Sequence, residues 1–236
     1  MVLVAGGSGN RFQSLKQFEI INGKPTYLWF LETFLTWPHC GSIVVVVPLE
    51  WEVEITSQVY KYQPTKDKNI KVVRGGSSRQ ASATAGFQAL VTFPNANPWV
   101  MIHDAARPCA SLELIGRIWD SRQGISGGGQ TDRQLGGVIP GLPVRETIKK
   151  TQRVNDRLVV CDTPQRNELY TIQTPQLFDA KILGEAYGKF PDFDAADDST
   201  LVENLGFEVI VVPGEYDNLK ITFREDIERV SSRLRQ

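Results

Sequence analysis

The sequence has little of what several protein classes require. Of its 236 residues only three are cysteines, at positions 40, 109 and 161, and they form no C-x-x-C pair. Neither a disulfide framework nor a zinc site is indicated, and we expect reduced thiols in a cytoplasmic protein. No apolar stretch reaches the roughly 18 residues that a membrane span needs. The first residues also lack the basic segment of a signal peptide.

An excess of charge of either sign is also missing. Lys and Arg number 26, Asp and Glu number 27, and the formal net charge is −1. This balance argues against a broad surface for nucleic acid or anionic membranes, although it leaves room for a local cluster of cations. The length and the 41% hydrophobic content predict one globular domain over residues 1–236.

Short apolar runs alternate with helix-like segments along the chain. A helix is predicted over residues 78–90, because serines suited to capping precede an alanine-rich run. A last helix is predicted after Thr222, which forms a capping-box pattern with Glu225. Strands interleaved with helices predict an α/β fold with a doubly wound, mostly parallel sheet. The predicted strands are residues 1–5, 43–48, 70–73, 99–103 and 137–140.

Two segments depart from this alternation. Residues 124–137 are rich in glycine and indicate a loop too short to link two domains. Residues 144–149 and 157–160 favour β-structure on either side of a polar turn at residues 154–156. We therefore predict a β-hairpin arm within residues 142–166 that projects from the sheet.

The first strand runs into a glycine-rich turn at residues 5–11, whose bare backbone N–H groups can approach phosphate oxygens. Phe12 occupies the third glycine position of G-x-G-x-x-G, and the chain has no P-loop sequence, so neither fingerprint applies. Instead Arg11 and Lys16 follow the glycines, and a triphosphate site needs such cations to neutralise departing pyrophosphate. The alternative is a glycine turn with two solvated cations.

A second polar constellation follows the strand at residues 99–103. Ligands of open α/β sheets bind outside the carboxyl ends of strands, so Asp104 could hold Mg²⁺ together with substrate phosphates. The alternative is that Asp104 caps the next helix and pairs with Arg107. We interpret His103 as a buried, hydrogen-bonded strand residue. A Ser-His-Asp or Cys-His device is poorly supported, because the chain has two histidines and no nucleophile-elbow sequence.

Two further features have a functional and a structural interpretation. Lys220 lies between two apolar residues, so on a strand it would point to the opposite face. A surface lysine on an edge strand explains that pattern equally well. Asp194, Asp197 and Asp198 form an acidic cluster that helix N-terminal capping explains without any function.

Together these pieces resemble one family along the whole chain, the 2-C-methyl-D-erythritol 4-phosphate cytidylyltransferases of non-mevalonate isoprenoid synthesis. The glycine loop alone is shared by many nucleotidyltransferases, whereas H-D-A-A-R-P, the arm sequence and Q-T-P-Q are much more specific. The matching stretches are residues 4–11, 15–17, 75–82, 103–108, 143–149, 166–176 and 217–222.

The resemblance implies a Rossmann-like nucleotidyltransferase that transfers CMP from CTP to the polyol phosphate with release of pyrophosphate. It implies that Asp104 carries Mg²⁺. Four cationic residues are implied to be catalytic, namely Arg11, Lys16, Arg166 and Lys220. Backbone and small side chains are implied to hold CTP at Ala5, Gly6, Gly7, Gly9, Gly76, Ser77, Ser82 and Ala105. The acceptor pocket is implied to include Arg107, Thr147 and Thr174.

The family also implies a homodimer whose arms interlock, so that Thr147 and Arg166 act in the partner's site. It implies a cytoplasmic enzyme, or one of the plastid stroma if the chain is a processed plant form. Its partners would be CTP and a small phosphorylated polyol, with no nucleic acid and no membrane.

The chain departs from the family pattern at three places. The stretch between Arg11 and Lys16 is two residues shorter than usual and lacks the proline before the lysine. Ala196 stands where a threonine often contacts substrate phosphate, and Ala81 replaces an aspartate. Two alternatives therefore stay open: a cytidylyltransferase for another polyol phosphate such as ribitol 5-phosphate, and a non-catalytic nucleotide-binding subunit on the same fold.

Overall fold

Strands and helices alternate along a computed structural model that describes residues 1–6, 16–61, 69–94, 96–123, 133–193 and 195–234. The strands in this part of the chain are β1 (Val2–Val4), β2 (Ile20–Ile21), β3 (Lys24–Pro25), β4 (Ser42–Val47), β5 (Asn69–Arg74), β6 (Trp99–Asp104), β7 (Leu135–Pro143), β8 (Lys150–Val154), β9 (Arg157–Asp162), β10 (Tyr170–Ile172), β11 (Gln176–Asp179) and β12 (Glu208–Pro213). The helices are α1 (Thr26–Thr36), α2 (Glu52–Tyr60), α3 (Arg79–Leu90), α4 (Leu112–Ser121), α5 (Ala180–Lys189), α6 (Asp198–Asn204) and α7 (Asp226–Arg233).

Eight of the strands form one mixed sheet. Its order is β10-β7-β11-β6-β1-β4-β5, and β12 pairs with β7. The strands β5, β4, β1 and β6 are mutually parallel, as are β7 and β12, whereas β10 and β11 run antiparallel to their neighbours. The mostly parallel α/β sheet predicted from the sequence is therefore confirmed.

Both faces of the sheet are covered, which follows from the alternation of side chains along each strand. In β4, Val45 and Val47 belong to a core that includes residues of α1 and α4, such as Leu31 and Leu114. Val44 and Val46 face the opposite core, formed with residues of α3 and α5. A strand buried on both faces must be apolar throughout, as the Ile-Val-Val-Val-Val sequence of β4 is.

Several predicted elements need correction at their boundaries. The helix over residues 78–90 is confirmed, and Ser78 caps α3 by accepting the N–H of Ala81. The capping box is wrong: the last helix begins at Asp226, whose carboxylate accepts the N–H groups of Thr222 and Phe223 at 2.8 Å each. Glu225 makes no side-chain cap. Of the predicted loop at residues 124–137, residues 124–132 lie outside the described residues and 135–137 belong to β7.

A separate β-hairpin, β8 with β9, lies where an arm was predicted. Its turn at Asn155 and Asp156 has positive φ at both residues, which suits a tight two-residue connection. The first predicted strand of the arm is wrong: residues 144–149 form no strand, and the paired residues are Lys150–Val154. Register explains the shift, because a two-residue turn pairs Val154 with Arg157 and fixes the pairing backwards from there.

The carboxyl ends of the parallel strands meet at one edge of the sheet, where the loops of functional interest begin. The backbone pairing continues there, since the N–H of Ala5 donates to Val46 O and that of Ala105 to Val4 O, at 2.8 and 2.9 Å. Within the described part of the chain, no helix has both the length and the apolar character needed to cross a bilayer.

Candidate active site

A cleft of about 690 Å³ opens at this edge, beside the end of β6. Asp104, Arg107 and Thr174 line it near the sheet. Lys220 and Ala196 contribute to its walls from later parts of the chain. The structure thus brings together four predicted site residues that are up to 116 positions apart in sequence, namely Asp104, Arg107, Thr174 and Lys220.

One carboxylate in this cleft, that of Asp104, lies between two cations. The ammonium of Lys220 donates to Oδ2 at 2.6 Å, and Nε of Arg79 donates to Oδ1 at 3.0 Å. Burial alone raises the pKa of Asp104, which is 8% exposed, but the attraction of Arg79 and Lys220 outweighs burial and holds that pKa well below its usual range. Asp104 is therefore an anion at neutral pH.

The alternative role for Asp104, capping the next helix and pairing with Arg107, is wrong. Helix α4 begins only at Leu112, too far along the chain, and Ser111 caps it by accepting the N–H of Leu114. The guanidinium of Arg107 instead donates to the carbonyl of Asn218 at 2.8 Å. Burial lowers the pKa of Arg107, and the charge of Asp104 opposes that shift.

Beneath Asp104 a chain of hydrogen bonds occupies His103. The hydroxyl of Thr174 accepts the N–H of Asp104 at 3.1 Å, so its own hydrogen is available to Nδ1 of His103 at 3.0 Å. Nε2 of His103 then donates to the carbonyl of Arg107 at 3.0 Å. The ring is fully buried and stacks on Phe30, and burial lowers the pKa of His103 to about 3. His103 is confirmed as a neutral structural residue.

Lys220 is positioned by its neighbours and not by a strand, since residues 218–222 form none. The side-chain amide of Asn218 donates to the carbonyl of Thr174 at 2.9 Å. The N–H of Ile221 donates to the carbonyl of Ala106 at 2.9 Å. The first of these hydrogen bonds ties the segment that carries Lys220 to the connection between β10 and β11, and the second ties it to the loop after β6; both join buried residues.

The predicted nucleotide-binding residues that the structure describes lie at the same edge. The N–H of Gly76 donates to the hydroxyl of Ser82 at 3.2 Å. A Cβ at Gly76 would lie 2.5 Å from Cβ of Ala81, and one at Gly6 would lie 2.8 Å from Oγ of Ser82. Glycine at both positions therefore lets the start of α3 approach the ends of β1 and β5. Of the other predicted nucleotide-binding residues, Ser77 is exposed and Ala105 is buried.

The cationic loop is described only at its end. Gly7, Gly9 and Arg11 lie outside the described residues. Lys16 is half-buried, and the next residue, Gln17, donates its side-chain amide to the carbonyl of Ala5 at 2.7 Å. This hydrogen bond holds the backbone of Lys16 close to the carboxyl end of β1.

Two predicted site residues do not line the cleft of their own chain. Thr147 is exposed in the segment between β7 and β8. Arg166 is exposed in a 3-10 turn, where it donates to the carbonyl of Arg145 at 2.9 Å. Both flank the β8–β9 hairpin, so a role for them stays a prediction that depends on a second subunit.

Sequence reasoning missed the partners of Arg79. Helix capping correctly explains Asp197, which accepts the N–H of Thr200 at 3.1 Å. For Asp198 the explanation is wrong: its carboxylate is buried and accepts hydrogen bonds from Arg79 and Tyr187, each at 2.8 Å. Asp194 lies outside the described residues. In sequence, a capping aspartate and a buried one side by side give the same signal.

The residues around Asp104 fit a divalent cation shared with a substrate. Each carboxylate oxygen has two lone pairs, and Arg79 and Lys220 use one contact on each oxygen. Among the described residues no cluster of three His, Cys, Asp or Glu side chains could hold a metal. This donor set suits Mg²⁺, which is often held by one or two carboxylates and the phosphates of a substrate.

An open α/β sheet with a polar cleft at its carboxyl edge places the protein in the class of Rossmann-like folds, and the cations around Asp104 suit a phosphorylated ligand. The family model described as IspD, 2-C-methyl-D-erythritol 4-phosphate cytidylyltransferase, matches residues 1–236. The chain belongs to this family and is a cytidylyltransferase, which confirms the resemblance noted in the sequence.

Individual relatives agree with this assignment. The chain is 35% identical over 231 residues to 2-C-methyl-D-erythritol 4-phosphate cytidylyltransferase of Alkaliphilus metalliredigens, covering 96% of this chain and 89% of the relative. It is 38% identical over 234 residues to a bifunctional IspD/IspF enzyme of Solidesulfovibrio magneticus, with 96% of this chain and 54% of that relative covered. The chain thus spans about half of such bifunctional relatives.

A solved structure shows the same fold. The crystal structure of 4-diphosphocytidyl-2C-methyl-D-erythritol synthase from Anaerococcus prevotii superposes with a TM-score of 0.78 at 30% identity. The match covers all of this chain and 97% of that one.

Proposed function

We propose that the protein transfers CMP from CTP to 2-C-methyl-D-erythritol 4-phosphate and releases pyrophosphate. A phosphate oxygen of the acceptor attacks the α-phosphorus of CTP, and the bond from that phosphorus to the bridging oxygen of the leaving pyrophosphate breaks. The supporting observation is the cleft at Asp104, where Arg79, Arg107 and Lys220 gather beside one permanent anion.

This reaction needs positioning and charge neutralisation, because the acceptor phosphate is already an ionised nucleophile. No protein base has to remove a proton, which agrees with the locked, neutral state of His103. Lys220 is the group best placed to act on substrate. Its side chain is 41% exposed, and its ammonium can move from Asp104 to a phosphate oxygen without a change in the buried structure.

Asp104 would hold Mg²⁺ together with the phosphates of CTP. When bound, the metal neutralises charge that develops as pyrophosphate leaves. Gly6, Gly76 and Ala105 present backbone at the same edge, where a triphosphate can approach closely because glycine has no side chain. Arg11 and Lys16 would complete the neutralisation from the glycine loop.

The β8–β9 hairpin supports a homodimer as part of this proposal. An isolated two-stranded hairpin is marginal in water, yet this one exposes Leu158, Val159 and Val160 at 68%, 43% and 53%. Contact with a second copy would bury these side chains. It would also place Thr147 and Arg166, which flank the hairpin, where they can reach the partner's acceptor phosphate.

The activity is tested by measuring Mg²⁺-dependent pyrophosphate release from CTP with each of two acceptors. We expect turnover with 2-C-methyl-D-erythritol 4-phosphate and little with ribitol 5-phosphate. Preference for ribitol 5-phosphate would overturn the proposed acceptor. Binding of CTP without release of its pyrophosphate in the presence of either acceptor would identify a non-catalytic nucleotide-binding subunit.

The dimer is tested by sedimentation of Leu158→Asp beside a matched control. Val53, on α2, is 84% exposed, so Val53→Asp makes the same change on an unrelated surface. We expect Leu158→Asp to become monomeric and to lose turnover while Val53→Asp stays dimeric and active. A monomeric wild-type protein with full turnover would overturn the role of the arm.

A further inference from the structure

Behind Asp104 lies a hydrogen-bonded network of Arg79, Asp198 and Tyr187, of which Arg79 lines the cleft and the other two do not. Nε of Arg79 donates to Oδ1 of Asp104 at 3.0 Å, and Nη1 of Arg79 donates to Oδ2 of Asp198 at 2.8 Å. The hydroxyl of Tyr187 donates to the other oxygen of Asp198 at 2.8 Å. Both edges of the Arg79 guanidinium are thus fixed by carboxylates.

The four hydrogen-bonded residues, Asp104 included, come from four separate elements. Asp104 ends β6, Arg79 opens α3, Tyr187 lies near the end of α5, and Asp198 opens α6. The side chain of Arg79 is 31% exposed, whereas that of Asp198 is 1% exposed and Tyr187 is buried. A buried ionic group is costly unless it is fully paired, so this arrangement holds a single geometry.

The two cations on Asp104 therefore differ in kind. Lys220 is half-exposed and contacts one oxygen of Asp104, so a substrate phosphate can draw it away. Arg79 is held from behind by Asp198 and stays in place. A fixed, uncompensated guanidinium beside Asp104 would repel a divalent cation, and the carboxylate of Asp198 cancels that repulsion.

We propose that Arg79, Asp198 and Tyr187 are positioning residues, which orient the Asp104 carboxylate and keep it attractive to a divalent cation. This inference rests on the proposed metal site at Asp104. Outer partners of a ligand usually matter for metal affinity, and their loss costs on the order of 10–100-fold.

Charge gives this proposal a signature that a general structural defect lacks. Asp198→Asn removes one negative charge from the site. We therefore expect the affinity for Mn²⁺ in the presence of a non-hydrolysable CTP analogue to fall roughly 10–100-fold. The CTP analogue is itself an anion, so its affinity for Asp198→Asn in the absence of metal should equal or exceed its affinity for the wild type. A misfolded cleft would lose both affinities together.

The experiment measures both affinities, Mn²⁺ by electron paramagnetic resonance and the metal-free analogue by calorimetry in chelator. Tyr187→Phe keeps every charge and removes one hydrogen bond, so we expect a smaller loss of Mn²⁺ affinity, about threefold. It also serves as the test if Asp198→Asn does not fold. The matched control is Asp179→Asn, which removes an aspartate that caps α5 at the other end of β11 and should change neither affinity.

The outcomes separate this proposal from the metal site itself. Suppose that Asp104→Asn loses Mn²⁺ affinity while Asp198→Asn and Tyr187→Phe both keep the wild-type affinity. This result would overturn the positioning role and would still support the metal site at Asp104. Equal Mn²⁺ affinity in wild type and Asp104→Asn would overturn both. If Asp198→Asn lowered both the affinity for Mn²⁺ and the metal-free affinity for the CTP analogue, Asp198 would have only a structural role and the proposal would be overturned.

Discussion

The two cations that contact Asp104 should respond to truncation in opposite ways. Lys220 is 41% exposed, and exposed ion pairs contribute about 0–1 kcal/mol to stability. Its removal leaves Asp104 paired with Arg79. We therefore expect Lys220→Ala to lower the free energy of unfolding by less than about 1 kcal/mol. Its cost should appear in turnover, since loss of one preorganised charge at a reacting phosphate lowers kcat by roughly 100–1000-fold.

Arg79→Ala removes a cation from between two carboxylates, one of them 1% exposed. Breaking a buried ion pair from one side costs about 3–5 kcal/mol, because the remaining charge stays buried without its partner. Conservative replacement should not restore it. An ammonium in Arg79→Lys has no planar fork to contact Asp104 and Asp198 together.

The assay compares urea unfolding, followed by tryptophan fluorescence, with pyrophosphate release for each variant. The expected pattern is a stable but nearly inactive Lys220→Ala and a destabilised Arg79→Ala. If Lys220→Ala kept turnover within threefold of wild type, its placement on a reacting phosphate would be wrong. Equal destabilisation of the two variants would refute the argument from burial.

Three further expectations concern single positions. Burial keeps His103 neutral and lowers its pKa to about 3, against about 6.5 in the unfolded chain. The contribution of neutral His103 to the free energy of unfolding is therefore complete above pH 6.5 and falls by about 2 kcal/mol at pH 5. Urea midpoints at pH 7 and 5 should show this drop, and His103→Gln should lack it. Ala196→Thr supplies a hydroxyl on the cleft wall and should lower the KM for the acceptor roughly fivefold, about 1 kcal/mol, while the similarly sized Ala196→Val should not. Gly76→Ala places a methyl group 2.5 Å from Cβ of Ala81. The KM for CTP should rise about tenfold, equivalent to about 1.4 kcal/mol. An unchanged KM would show that CTP does not approach this turn.

Five of the eight strands of the main sheet, β1, β4, β5, β6 and β7, were predicted from their apolar runs, whereas β10, β11 and β12 were not predicted. The run at residues 43–48 could only be a central strand, and it became β4 with a shift of one residue at each end. The arm was harder to delimit. Residues 144–149 have the composition of a strand, yet the turn at Asn155 and Asp156 sets the register, pairs β9 with residues 150–154 and leaves 144–149 outside the hairpin.

Individual members of the site were also predictable, since Asp104 follows a strand at the edge where α/β proteins bind ligands. Of the two cations that contact it, Lys220 was placed in the same site by the family resemblance, whereas Arg79 was not predicted. Arg79 and Lys220 contact Asp104 across 25 and 116 positions, and Arg79 contacts Asp198 across 119. No local pattern encodes a contact between residues so far apart. Tyr187 carried no signal at all, because one tyrosine on an amphipathic helix is an ordinary core residue.

The pairing of charges explains how a chain with a net charge of −1 can bind two polyanions. In the structure Arg79 and Lys220 already have the carboxylates of Asp198 and Asp104 as partners, so these two cations and two anions together have almost no net charge. A phosphate must compete with Asp104 for Lys220, and it succeeds at least cost if a divalent cation takes the place of Lys220 on that carboxylate.

From the proposed metal site it follows that metal and phosphate favour each other's binding. Because such coupling is reciprocal, Mg²⁺ should tighten CTP by the same factor by which CTP tightens Mg²⁺. Neutralising Lys220 as Lys220→Met should reduce that factor, since Asp104 would then be open to the metal before any phosphate arrives.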